Sequence, residues 1–484
     1  MLLQDILREV NYFRVEGSLD KQIDGIFYDS RQVSGNALFF CIEGFRFDGH
    51  QFAGEAAARG AQAVVISKDV PLPEHVTKVY VDDTRLAMAL ISKTFYGNPL
   101  LNIPLIGVTG TNGKTTVTYL VKSILEEAGK KVGLIGTITN MIGNRKIHTE
   151  RTTPESMDLQ RLFSEMKTEG VDSIVMEVSS HSLSLKRVAG CQFEVGVFTN
   201  LTQDHLDFHK SIDDYREAKA KLFEQSRQAV INIDDENGRI IMERGAGSAV
   251  TYGIRGEAHI YARDLEITSK GVSFRLFTPY GNCLINLNIP GIFSVYNAMA
   301  AAGACSTLGV SLECIKNGLE KVKGVPGRFE LLNTGTDYSV ILDYAHTPDG
   351  LENVLKTAQE FTTGRIITVF GCGGDRDPGK RPIMGETAGR YSDLCIITSD
   401  NPRNEEPMAI IEQIIPGVKK TVCPYIVIED RKEAIAYALK QGKEGDVIIL
   451  AGKGHENYQI LKNNRIIHFD EREIVAELLG RETV

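Results

Sequence analysis

The chain has 484 residues, 42% hydrophobic and 24% charged, proportions that exclude a disordered or fibrous polymer and, at roughly 150 residues per domain, set a prior near three domains. Its 54 basic and 63 acidic side chains leave a net charge of −9, against a duplex nucleic-acid or anionic-membrane binder, both of which demand a basic face. Any anionic substrate must therefore be held by local Lys or Arg, metal ions or helix N-termini.

The opening decapeptide MLLQDILREV carries Asp5, Arg8 and Glu9, which a secretory apolar core does not contain, and no run of about 18 apolar residues follows. The cysteines at 41, 191, 283, 305, 314, 372, 395 and 423 include no CxxC pair and read as buried, reduced thiols of a cytoplasmic protein. In chain order, apolar β-branched runs alternate with glycine or polar turns and helical patterns, the signature of parallel α/β layers. AQAVVIS and KVYVDD read as strands, QFAGEAAARG and TRLAMALISKTFYG as helices. Asn98 to Pro104 then reads as a boundary, followed by strands LIGV, VGLIG, SIVMEVS, VGVFTN and AVINI. Lys323 to Gly327 reads as a second boundary, after which IITVF, LCIITS, YIVIE and DVIILA repeat the theme. The expectation is three α/β domains: 1–99, a central parallel-sheet domain of P-loop ATPase type over 100–327, and a Rossmann-like domain over 328–484. Asp470 with Glu473 three positions on predicts a capping box at the last helix.

The sharpest local signal is GVTGTNGKTT, residues 107–116, between the strand LIGV and a helix. Gly110 and Gly113 let backbone N–H groups of Gly110, Thr111, Asn112, Gly113, Lys114, Thr115 and Thr116 line one concavity, and the helix N-terminus adds partial positive charge. Lys114 brings a full charge to the β/γ phosphates, and Thr115 offers a hydroxyl to Mg²⁺. Counting back from Gly113, the usual first glycine falls on Val108, so Gly107, one residue earlier, predicts a variant loop. This loop implies a nucleoside triphosphate without choosing among switches, transport ATPases, kinases and ligases.

Downstream, SIVMEVS ends at Glu177, which puts a carboxylate at a strand's carboxyl end where Mg²⁺ sits beside a phosphate loop. Asp204, His205, Asp207 and His209 follow VGVFTN as a concentration of potential metal ligands.

GVTGTNGKTT, MEVSSH, FTNLTQDHLDFH, YREAK, SVYNAMAA, GRFE, DYAHTPDG and DNPR occur in this order, and together the chain resembles the Mur ligases, ATP-dependent amide-bond formers of peptidoglycan precursor synthesis. The resemblance spans all three domains and points to the branch that adds diaminopimelate to the D-glutamate of a UDP-N-acetylmuramoyl dipeptide. It implies that the loop and Lys114 hold ATP, that Thr115 and Glu177 hold one Mg²⁺, and that His205 holds a second. It implies that Lys219 carries CO₂ as a carbamate (N6-carboxylysine), and that Asn297, Arg328 and Asp343 meet the adenine, phosphates and ribose. It also implies that Ser30 contacts the uridine nucleotide and that Thr152, Thr153, Ser179 and Arg187 hold the sugar–dipeptide. A cytoplasmic monomer using small-molecule substrates, with no nucleic-acid or membrane partner, is the corresponding expectation.

Specificity rests on the last domain, where GCGGDRDPGKR, SDNPRNEEP and AGKGHENYQ each follow an apolar strand. Loops at the carboxyl ends of neighbouring strands converge on one crevice. It is expected to gather Arg381, Asp400, Asn401, Pro402, Arg403, Gly452 and Glu456. Arg381 and Arg403 suit the two carboxylates of diaminopimelate, and Glu456 with the Gly452 carbonyl suits its distal ammonium. Lysine lacks a distal carboxylate and leaves Arg403 unpartnered, which disfavours the lysine-adding sister enzyme. Two further rivals are a folylpolyglutamate synthase and a P-loop ATPase that ligates nothing. The full α/β domain ahead of the phosphate loop disfavours the synthase. The ATPase needs no amino-acid crevice.

Overall fold

The computed structural model describes residues 1–481 except 45–46, 206–207 and 245–247; Asp207 therefore lies outside the described residues. Among the described residues the chain forms three large sheets and one two-stranded ribbon.

The first sheet runs from Arg14–Glu16 to Thr77–Tyr80 and is parallel apart from its first strand, which pairs antiparallel with Thr77–Tyr80. AQAVVIS and KVYVDD supply Ala61–Ile66 and Thr77–Tyr80, and the expected second helix is Thr84–Phe95.

In the central sheet the strand Leu105–Thr109 lies between Phe193–Phe198 and Ser173–Glu177, parallel to both. Their side chains are buried on both faces, the pattern of a sheet covered by helices on either side. The helix Lys114–Glu127 covers one face with Val117, Leu120, Val121 and Ile124, and Ile292–Thr307 joins it in the same core. The central sheet is not wholly parallel, a departure from the expected class. Ile260–Thr268, Gly271–Thr278 and Gly281–Leu287 extend it as an antiparallel meander, and Asn140–Ile142 with Arg145–Ile147 makes a hairpin at the far edge. Ser-Lys-Gly and Pro-Tyr-Gly turns separate these strands, with Gly271 and Gly281 at positive φ.

The last sheet is parallel over Ser339–Asp343, Val447–Ala451, Ile366–Phe370, Leu394–Ile397 and Tyr425–Val427, with Glu330–Leu332 antiparallel at one edge. The three polar loops follow adjacent strands of this sheet, as the crevice argument requires.

Three local readings change. Gly107 is not the first residue of the phosphate loop. It sits inside the strand Leu105–Thr109, where a Cβ would meet the Phe193 ring at 2.6 Å, so it is a packing glycine. The last helix, Glu471–Leu478, is capped by Asp470 through the Arg472 amide, while Glu473 pairs with His468 Nε2 at 2.6 Å, so no reciprocal box forms. Six cysteines are buried, but Cys283 and Cys314 are only partly so.

Candidate active site

The phosphate loop is shaped by two glycines that no other residue could replace. Gly110 has φ +146°, and a Cβ there would lie 1.8 Å from Thr199 Oγ1; Gly113, at φ +86°, faces Asn297 Oδ1 at 2.4 Å from the same hypothetical atom. The neighbouring strand's exit braces the loop: Asn112 N donates to Asn200 Oδ1 at 2.9 Å, and Thr199 Oγ1 donates to the Asn112 carbonyl at 2.6 Å. Lys114 folds over it, with Nζ donating to the carbonyls of Gly110 at 3.0 Å and Thr111 at 2.8 Å. Burial draws its ammonium below the ordinary lysine range, with Glu177 pulling in the opposite direction.

Glu177 is buried at the end of its strand. It accepts from the Thr137 amide at 2.8 Å and the Thr137 hydroxyl at 3.0 Å, and that hydroxyl lies 3.0 Å from Thr152 Oγ1. Gly136 leaves the room for this carboxylate, since a Cβ there would approach Glu177 Oε1 to 2.5 Å.

Lys219 comes from the helix Ile212–Glu224 and is buried. Its Nζ donates to the Gly110 carbonyl at 2.8 Å and lies 4.3 Å from the Tyr215 ring centroid. Desolvation first, then the charge of Lys114, holds it well below the ordinary lysine range.

The two described imidazoles of the DHLDFH run part company. His205, at φ +56°, lines the cavity, with its ring 4.8 Å from that of His181. His209 is buried instead, with Nε2 2.9 Å from Ser180 Oγ, and does not line the cavity.

These groups share a cavity of about 600 Å³. Thr111, Asn112, Gly113, Lys114, Thr115 and Thr116 line it from the phosphate loop, and Thr152, Glu177, Ser179, Asp204, His205, Lys219 and Asn297 from the rest of the central lobe. Arg328, Asp343, Tyr344 and His346 close it from the C-terminal lobe. Asp343 accepts from the amides of Phe329 and Ala345, each at 2.7 Å, and its carboxyl is raised by burial against the pull of Arg328. Arg328 itself lies 4.9 Å from the Tyr344 ring centroid.

Three residues expected to hold the acceptor stand apart from this cavity. Thr153 is buried behind it, donating to the Glu177 carbonyl at 2.9 Å. Arg187 pairs with Glu155 at 2.9 Å, a carboxylate that also takes Arg85 at 3.2 Å and Arg151 at 2.5 Å. Ser30, in the first lobe, donates to Glu55 at 3.0 Å.

The crevice of the last sheet gathers all but one of its expected residues. Asp400 Oδ1 accepts from the Asn401 amide at 2.6 Å, while Oδ2 is buried without a hydrogen-bond partner and lies 2.8 Å from where a Gly452 Cβ would stand. Gly452 therefore keeps φ +115° and no side chain. Burial raises the Asp400 carboxyl, but Lys453 and Arg431 outweigh it and hold it below the ordinary range. Asn401 Nδ2 donates to Glu456 Oε2 at 2.9 Å, and the buried Lys453 donates to Asn401 Oδ1 at 3.0 Å and pairs with Glu456 at 3.2 Å. Pro402 is buried beside them, and Arg403, at φ +51°, donates to the Gly374 carbonyl at 2.8 Å.

Arg381 is the one held apart by a protein partner. Its side chain is 1% exposed and pairs with Glu405 through two hydrogen bonds of 2.9 and 2.8 Å and with Gln413 through a third at 2.9 Å, while its Nε is buried with no hydrogen-bond partner. Arg376, in the loop ahead of the helix Lys380–Tyr391 that carries Arg381, is exposed, and both it and Arg403 flank Gly373, whose Cβ would sit 2.8 Å from Arg403 Nη1 and 3.8 Å from Arg376 Cγ. The sequence marks Arg381 but not its pairing with Glu405, 24 positions on. Sequence reasoning misses Lys453 and His346 for the same reason, since neither bears a local motif that announces burial or a cavity wall. A further acid–imidazole group, Glu43, Asp48 and His50, is already supplied with a cation: Lys68 bridges Glu43 and Asp48.

The chain matches the Mur ligase family catalytic domain over residues 22–96, the Mur ligase middle domain over 108–305 and the Mur ligase glutamate ligase domain over 327–454. It is 52% identical over 481 residues to the UDP-N-acetylmuramoyl-L-alanyl-D-glutamate–2,6-diaminopimelate ligase 1 of Clostridium acetobutylicum, covering 99% of both chains. The corresponding ligase of Caldanaerobacter subterraneus is also 52% identical over 481 residues, again with 99% coverage of each. A solved structure of a UDP-N-acetylmuramoyl-L-alanyl-D-glutamate–2,6-diaminopimelate ligase superposes with TM-score 0.72 at 31% identity, over 99% of both chains. This chain belongs to the Mur ligase family.

Proposed function

We propose that the protein joins meso-diaminopimelate to the D-glutamate γ-carboxylate of UDP-N-acetylmuramoyl-L-alanyl-D-glutamate, with ATP converted to ADP and phosphate, in the cytoplasm and as a monomer. The observation that carries this reading is the adjacency of two sites. A phosphate-loop cavity is closed by Arg328, Asp343 and His346 of the C-terminal lobe, and the same lobe presents a crevice with an unpartnered Asp400 oxygen and two flanking arginines. A nucleotide switch has no use for the second site.

The reaction needs two steps. The acceptor carboxylate attacks the γ-phosphorus of ATP, releasing ADP and giving an acyl phosphate. The neutral amine of diaminopimelate then attacks the acyl carbon and expels phosphate, and one proton leaves the nitrogen. Lys114 and the loop amides hold the phosphates and offset the charge that develops on them. Asn297 is assigned to the adenine, Arg328 to the phosphates and Asp343 to the ribose. Thr115, Glu177, His205 and Lys219 are assigned to two Mg²⁺ ions, and the donor set fits: Glu177 uses its oxygens on one neighbour and is left facing the cavity. When bound, Mg²⁺ neutralises phosphate charge and orients the oxygens. Burial favours the neutral amine of Lys219, the form that adds CO₂, and as a carbamate it would present a carboxylate toward the metal site.

Ser30 is assigned to the uridine nucleotide, and Thr152, Thr153, Ser179 and Arg187 to the sugar–dipeptide. In the crevice, Glu456 and the Gly452 carbonyl are suited to the distal ammonium, Asp400 to an ammonium group, and Arg381 and Arg403 to the two carboxylates. The domain roles follow: acceptor nucleotide on 1–99, ATP on 100–327 and amino acid on 328–484. The test supplies amino acids singly to enzyme holding ATP and the UDP-linked dipeptide and follows ADP release. Release on meso-diaminopimelate is expected, whereas release without any amine, or on L-lysine at equal efficiency, contradicts the assignment.

A further inference from the structure

The carboxylate of Asp349 crosses from the C-terminal lobe to the phosphate loop. It occupies the second position of the helix Pro348–Gln359, whose N-cap Thr347 accepts from the Gly350 amide at 3.2 Å. One oxygen, Oδ2, accepts from Asn112 Nδ2 at 2.8 Å and from Thr202 Oγ1 at 2.7 Å, as well as from Asn353 Nδ2 of its own helix at 3.2 Å. Asn112 lies within the phosphate loop, and Thr202 lies on the segment that leads to Asp204 and His205.

The segments that carry the two central-lobe partners are already tied to each other. Thr202 N donates to Thr111 Oγ1 at 3.0 Å, and Asn112 is held by Asn200 and Thr199. Their side-chain donors are what remains to point outward, and both converge on the same oxygen of the other lobe. Hydrogen bonds to an ionised carboxylate are roughly twice as strong as neutral ones and fix geometry more tightly. The cavity is lined by Thr347, Gly350 and Asn353 around Asp349 but not by Asp349 itself.

We infer that Asp349 is a positioning residue that sets the docking of the C-terminal lobe on the phosphate loop, giving the nucleotide and the incoming amine one shared geometry. The inference rests on the ligase reading, because lobe registry matters when substrates held by two lobes react in one cavity. A misplacement of about 1 Å can cost about a hundredfold in rate, so a contact of this kind acts on kcat.

The test compares Asp349→Ala, Asp349→Asn, Thr202→Val and the Asp349→Ala/Thr202→Val double variant with wild type in full-chain ligation assays. Asp349→Ala is expected to lower kcat about tenfold to a hundredfold with KM for the UDP-linked dipeptide changed less than about twofold. Asp349→Asn, which keeps an acceptor oxygen, recovers most of the loss. The double variant is expected to be no slower than Asp349→Ala alone, a departure of about fivefold or more from independent effects. Unchanged kcat in Asp349→Ala, or losses that simply multiply in the double variant, overturns the inference. Should Asp349→Ala fail to fold, Asp349→Ser, too short to reach across the lobes, and Thr202→Val with their double variant carry the same cycle. Wild-type enzyme that forms no amide with diaminopimelate refutes the ligase reading instead, so the two failures are distinguishable.

Discussion

The phosphate-loop end of the central sheet and the crevice of the last sheet are built from different materials. At the first, backbone makes the site: Gly110 and Gly113 hold conformations that side chains refuse, and Lys114 rests on its own loop's carbonyls. At the second, side chains make it by pairing across loops far apart in sequence, Arg381 with Glu405 and Lys453 with Asn401 and Glu456. Backbone sites tolerate little change in the loop and lean on a few distant braces, Thr199, Asn200 and Asp349. Paired sites depend on every partner.

The largest expected effect tests the paired crevice as a reader of substrate. L-lysine lacks the distal carboxylate proposed as the partner of Arg403, and a site built for a polar group rejects an analogue without it by about 10⁴-fold in kcat/KM. Competition of the two amino acids in one assay measures this ratio, and a ratio near one breaks the distinction between the regions.

Lys114→Ala comes next and probes the backbone-built site. Loss of one preorganised charge at a developing transition state costs about 10²- to 10³-fold in kcat, read by ADP release. Melting should be little changed, because the ammonium is buried at a cost; a variant at wild-type rate contradicts the assignment.

Lys219→Met is expected to lower kcat by about 10²-fold while leaving stability at neutral pH equal or higher. The folded protein holds this amine well below its ordinary value of 10.5. Between the folded value and 10.5 the unfolded chain therefore binds the extra proton, so the site's contribution to stability rises with pH across that window and falls as pH drops. Denaturant unfolding at several pH values should show that slope in uncarbamylated wild type and a flatter one in Lys219→Met; identical slopes refute the buried neutral amine.

The two arginines give the smallest effects and the sharpest contrast. Arg381→Met removes the partner of the half-exposed Glu405 and should cost about 2 kcal/mol of stability by denaturant titration while also raising KM for diaminopimelate. Arg403→Lys should raise that KM about tenfold and shift stability by under about 0.5 kcal/mol. An unchanged KM in Arg381→Met would remove Arg381 from the substrate's site.

What residues alone reveal follows the same division. The strand, loop and helix around Lys114 are local, so glycine placement and apolar runs announce them, as they do most of the parallel strands but not Gly25–Phe27, Ala37–Phe40, Ser248–Gly253 or Ser339–Asp343. The antiparallel meander over 260–287 carries its own turn signals but no chemical motif, and it emerges only in the folded sheet. The pairing of Arg381 with Glu405, 24 residues on, is announced by no local motif. His205 and His209 differ by one helical turn's worth of chain, yet one lines the cavity and the other bonds Ser180 beneath it. Burial and long-range partners decide these cases, and neither is encoded in spacing.

The central claim is that ATP activates the acceptor's carboxyl group by phosphorylating it, and oxygen transfer tests it most directly. With ¹⁸O in the γ-carboxylate of the UDP-linked dipeptide, turnover with ATP and meso-diaminopimelate should deliver one labelled oxygen into the phosphate released. Phosphate free of label, alongside normal amide formation, would contradict the account.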